Sequence, residues 1–201
     1  MLTKITRKDC LKKFPAIPHT SLNRNKVYYP QTVKSYTLTV DAKSIRGYVN
    51  NFSKESVSLF QILGFGSLIF LGDNGLPWLN QDHEYPPVKN ALTYLQQNKV
   101  TKNFNGSLLV NRADLPEFIK QIFWLIRCCA ALPYFHFTDE NQNIVGNICQ
   151  YGNLHFDTLN KPIDKRFNTA IRSVAFIQIP AMSCTNKFGN TGAIRLRRTI
   201  V

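Results

Sequence analysis

Residues 134–157, YFHFTDENQNIVGNICQYGNLHFD, decide the fold. Three stretches in it, YFHFT (134–138), NIVGNICQ (143–150) and NLHFD (153–157), read with a period of two. Residues 139–142 (DENQ) and Tyr151-Gly152 separate them with turn chemistry, and the pattern predicts a three-stranded antiparallel meander. Immediately before it, residues 115–132 are apolar on nearly every side (Phe118, Ile119, Ile122, Phe123, Trp124, Leu125, Ile126), and Pro133 closes the run. Such a segment is a central buried helix. Asp114-Leu-Pro-Glu117 supplies a variant capping box at its start.

Farther out, VKSYTLTV (33–40) alternates like a strand, and Asp41 is placed to cap an amphipathic helix over 42–53. Gly64 and Gly66 divide the most apolar stretch, LFQILGFGSLIFLG (59–72), into a short helix and a buried strand at 67–71. Asp73-Asn74-Gly75 reads as a turn, and a helix runs from Pro86-Pro87 to about Asn98. Strands are expected at 172–180 and at 193–201, the latter alternating Ile194 and Leu196 with Arg195 and Arg197. Residues 1–30, interrupted by Pro15, Pro18 and Pro30, read as a basic, partly extended arm. The expectation is one α+β domain over 31–201, a mostly antiparallel sheet packed on the central helix.

The 201 residues are 44% hydrophobic, enough for a sizeable core. Five cysteines (Cys10, Cys128, Cys129, Cys149, Cys184) form no C-x-x-C pair and are odd in number, which fits a reducing compartment such as the cytoplasm or an organellar matrix. The first fourteen residues lack the apolar core of a secretory signal, and no run is long enough to span a membrane.

Charge is concentrated at the ends. Residues 1–54 carry eleven Lys/Arg against Asp9 and Asp41, a net of +9; residues 165–201 carry seven and no acid, +7; the middle is −3. This distribution calls for a polyanionic partner, foremost RNA or DNA. Lys12, Lys13, Arg24, Lys26, Lys34, Arg172, Arg195, Arg197 and Arg198 are the expected phosphate contacts. Tyr28, Tyr29 and Tyr36 lie among them as rings on which single-stranded bases could stack.

A second constellation sits on the meander. His136 shares a strand face with Tyr134 and Thr138, and His155 with Asn153 and Asp157. If the register aligns those faces, two imidazoles and a carboxylate meet as the acid–base pair of a metal-independent ribonuclease, catalytic through His136, His155 and Asp157. The same groups with Cys149 could instead take zinc; no cofactor is assigned. Gly64-Phe-Gly66 lacks the remaining glycine of a dinucleotide loop, and Gly189-Asn-Thr-Gly192 reads as a turn. Three classes of function therefore fit: a non-enzymatic nucleic-acid-binding subunit of a larger nucleoprotein assembly, a small nuclease, and an interaction module docking on acidic protein surfaces.

Overall fold

The computed structural model describes residues 2–20, 27–81, 84–128, 135–180, 184 and 186–188. In chain order these hold β1 (Thr3–Ile5), α1 (Arg7–Lys13), β2 (His19–Thr20), β3 (Val27–Tyr28), β4 (Lys34–Thr39), α2 (Ile45–Ile62), β5 (Ser67–Leu71), α3 (Pro86–Gln97), β6 (Ser107–Asn111) and α4 (Leu115–Cys128). Then come β7 (His136–Asp139), β8 (Ile144–Ile148), β9 (Leu154–Thr158), α5 (Lys161–Ala170), a 3-10 turn (Ile171–Ser173) and β10 (Ile177–Ile179). Eight strands form one antiparallel sheet in the order β1-β6-β5-β7-β8-β9-β4-β10, with β2 and β3 paired separately. The α+β class and the meander β7-β8-β9 match the sequence reading.

Successive residues of a strand point to opposite faces, so the register assigns each side chain a side. One face carries Tyr36, Leu38, Leu68, Phe70, Leu108, Val110, Phe137, Ile144, Ile148, Leu154 and Phe156, all in the main core with residues of α2, α3, α4 and α5. The helices bury that face through apolar stripes, such as Val88, Ala91 and Leu95 of α3 and Phe118, Ile119 and Ile122 of α4. The opposite face carries Ile69 and Leu71, which pack with Cys10, Phe14 and Ile17 in a second, smaller core. With apolar neighbours on both sides, β5 reads as an unbroken apolar run.

Residues 2–20 and 27–30, expected as an extended arm, behave differently. Thr3–Ile5 pair with β6 at one edge of the sheet. Thr6 then caps α1, its Oγ1 accepting from the Asp9 amide at 3.1 Å. Cys10, Phe14 and Ile17 hold the segment on the second face, the Ala16 amide donates to Gln142 Oε1 at 2.8 Å, and Tyr29 reaches β9. Burial of three apolar side chains outweighs the prolines' interruption of regular structure. This stretch is a strap across the sheet face that the large helices leave uncovered.

Other differences are local. The 42–53 helix starts later and runs on through 62, and Ser44 rather than Asp41 caps it, accepting from the Gly47 amide. Asp41 instead pairs with Lys187 at 2.9 Å. Glu117 accepts from Gln121 Nε2, one turn ahead, instead of reaching back to the start of α4. α5 and the 3-10 turn occupy a stretch with no expected element, and they take the first two residues of the strand expected at 172–180. The Arg-striped strand at 193–201 lies outside the described residues. No helix among the described residues is long and apolar enough to cross a membrane.

Candidate functional site

The strap face turns polar where β7, β8 and β9 meet. His136 lies opposite Asn147, Asn147 opposite His155, and His155 opposite Thr37, so these four residues form one row across four strands on one face. The next row includes Thr138, Val145, Asp157 and Ser35. The meander's polar faces share one side of the sheet, with β8 standing between His136 and His155. Asn147, Asp157 and Thr37 are all buried.

Each titratable group in these rows has a specific neighbour. Asp157 accepts a short hydrogen bond from the Tyr29 hydroxyl. Burial and this carboxylate push the Tyr29 phenol well above its ordinary pKa. The Tyr29 ring meets His136 edge-on with centroids 6.1 Å apart. His155 turns to sulfur, with Nε2 3.2 Å from the Cys184 Sγ. Cys184 in turn lies 4.0 Å from Cys149 Sγ, and Asn153 Nδ2 donates to Cys149 Sγ at 3.7 Å. The donor atoms of Cys149, His155 and Cys184 all lie within 4.8 Å of one another, a set able to hold a metal ion.

Local structure explains why these groups meet. The β8–β9 turn is closed by the Gly152 amide on Cys149 C=O and by the Cys149 amide on Asn153 C=O. Gly152 has φ +85°, a left-handed conformation natural to glycine, and a Cβ there would stand 2.7 Å from the Phe123 ring. The turn brings Cys149 and Asn153 side by side, with His155 two residues farther on the same face.

Cys184 arrives from the C-terminal segment, which is fastened at three points. Arg127 Nη2 donates to Asn186 Oδ1 at 3.0 Å and to Phe188 C=O, while its Nη1 reaches Tyr151 C=O in the β8–β9 turn. Lys187 bonds Asp41, and the Phe188 ring meets Tyr48 edge-on at 5.5 Å. Donation from Cys184, aided by His155, draws the Cys149 thiol down toward thiolate despite its burial. The same bond holds the proton on Cys184 and pushes its pKa up.

The expected nucleic-acid contacts divide between the two faces. Lys12 and Lys13 are exposed in the last turn of α1, Lys13 over the Phe14 ring, and Tyr28 and Tyr29 are about half exposed on the strap. Tyr28 stacks on His19 at 4.8 Å. Lys34 is exposed on the helix-covered side, its Nζ 5.1 Å from the Tyr36 ring centroid, and Arg172 is exposed in the 3-10 turn after α5. Tyr36 corrects the sequence reading: it is 2% exposed, packed on Phe167, and its hydroxyl donates to Asp164 at 2.7 Å, so it has no face for a base. Arg24, Lys26, Arg195, Arg197 and Arg198 lie outside the described residues, as does Tyr134.

The sequence grouped Cys149 with His155 but not with Cys184. Their separations of 35 and 29 residues along the chain leave no local signal of contact. No protein-family model, curated protein or solved structure matches this chain.

Proposed function

We propose that the protein binds nucleic acid, with the strap face as its binding surface. The observation that carries this reading is that the basic N-terminal segment crosses the same sheet face as the C-terminal segment bearing Cys184. α1 places Arg7, Lys8, Lys12 and Lys13 in seven residues against one acid, and Lys8, Lys12 and Lys13 are exposed and pair with no acid among the described residues. Tyr28 and Tyr29 expose ring surface on the same strap. Cations to track phosphates and rings to stack on bases are what a single strand requires.

The test is fluorescence anisotropy with a labelled mixed-sequence single-stranded oligonucleotide across a salt series. Replacing Lys8, Lys12 and Lys13 by Gln removes three phosphate contacts, so the slope of log K against log salt becomes shallower by about 2, at roughly 0.7 per contact. The pair Lys34→Gln and Arg172→Gln, on the helix-covered side, leaves the slope nearly unchanged. Binding that is absent, or that ignores salt, refutes the proposal. Retention instead on an acidic protein would support the docking-module reading.

A second reading draws on the shared row of His136, Asn147 and His155. Cleavage of labelled RNA that persists in chelator and vanishes in His155→Ala would add a nuclease activity to the binding face.

A further inference from the structure

We propose that Cys149, His155 and Cys184 form a zinc site of the two-thiolate, one-imidazole type with its fourth coordination position open to solvent. Zinc bonds sulfur at about 2.3 Å and imidazole nitrogen at about 2.0–2.1 Å in tetrahedral geometry, which requires separations of about 3.8 Å between sulfurs and about 3.6 Å between sulfur and nitrogen. The Sγ atoms of Cys149 and Cys184 stand 4.0 Å apart, and Cys184 Sγ stands 3.2 Å from His155 Nε2. The third separation also lies within 4.8 Å. Adjustments of a few tenths of an ångström bring the first two to the required values.

The donor set suits a borderline-soft ion. Its surroundings are also those of a built site. Two ligands come from one hairpin whose turn geometry is set by Gly152, and the third is fastened through Arg127, Lys187 and Phe188. The Asn153 amide donates to the Cys149 sulfur, as outer-sphere partners of metal thiolates do. Cys149 is buried while His155 and Cys184 keep partial exposure, so the ion would sit at the rim of the polar face. Among the described residues no fourth protein donor joins the set, which leaves the remaining position to water or an incoming ligand atom. On binding, each thiol passes its proton to solvent and the imidazole coordinates neutral through Nε2.

The experiment uses the full-length protein, reduced and passed through chelator, titrated first with Co²⁺ and then with Zn²⁺ against a chromophoric competitor. The expected result is one cobalt per chain, with a thiolate-to-cobalt charge-transfer band and the intense visible bands of a tetrahedral ion, displaced by one equivalent of zinc. Cys184→Ser loses about half of the charge-transfer intensity, one thiolate of two, and Asn153→Ala keeps the bands while weakening zinc by about 10–100-fold. The wild-type titration decides the matter even if a variant does not fold. Octahedral cobalt without thiolate bands, or zinc that cannot compete with the chromophore, overturns the proposal. So does finding that a mild oxidant converts Cys149 and Cys184 to a disulfide in a protein that takes no metal, which would make the pair a redox couple.

Discussion

The hydroxyl of Tyr29 ties the strap to β9, and Tyr29→Phe removes that oxygen while keeping the ring against His136. Asp157 is 8% exposed, so its carboxylate loses a donor in a place where water replaces it poorly. Hydrogen bonds to charged groups contribute about 1.5–3 kcal/mol. Tyr29 itself is 47% exposed, which gives water access to its side of the bond and puts the expected loss at the lower end, about 1.5 kcal/mol. For a chain of this length each kcal/mol moves Tm by about 2–4 °C, so the variant melts about 3–6 °C lower.

Urea unfolding of wild type, Tyr29→Phe, Asp157→Ala and the double variant closes a cycle whose coupling term should be about 1–1.5 kcal/mol. The bond is short-range and partly buried, so added salt should change the coupling little. A Tyr29→Phe protein within about 0.5 kcal/mol of wild type would show that this bond does not hold the strap. A coupling term near zero would show that the two groups act independently.

Gly146→Ala tests the packing behind the polar row: the new Cβ would stand 2.5 Å from the Phe137 ring and 2.7 Å from the His155 carbonyl, so overpacking should cost about 1–3 kcal/mol in thermal or urea unfolding. Tyr36 gives a pH signature, because burial and its bond to Asp164 raise the phenol to about 12. A phenol raised in the folded state contributes stability that is complete below its unfolded pKa of about 10 and is lost as pH climbs toward the folded value. Between about pH 10 and pH 12 the wild type should therefore lose stability faster than Tyr36→Phe, as read by urea midpoints at each pH.

What could be read in the residues follows the range of the interactions involved. The meander was legible because alternation and turn residues are local, and β5 because Gly64 and Gly66 mark the break before it. α5 carried readable signals, Asn160 as cap, Pro162 in the first turn, and Ile163, Phe167 and Ala170 on one face. Its six charged or amide and hydroxyl side chains between those positions hid the stripe. α1 is similar: Thr6-x-x-Asp9 announces its start, yet seven residues with four cations give little periodicity. The strap and the meeting of Cys184 with Cys149 were not legible, because both are contacts between segments with no regular pattern of their own. Tyr36 misled for a related reason, since alternation gives a strand two faces but does not say which one helices cover.

The strap also imposes an order on synthesis. Tyr29 leaves the ribosome 128 residues before Asp157, and β1 precedes its partner β6 by about a hundred. At about 5–20 residues per second, Tyr29 waits roughly 6–26 s for its partner on β9. Ile69 and Leu71, the core partners of Phe14 and Ile17, follow more than fifty residues behind them, so the buried end of the strap can dock before its Tyr29 end. Lys12 and Lys13, next to Phe14, keep the undocked segment hydrated and repel their like.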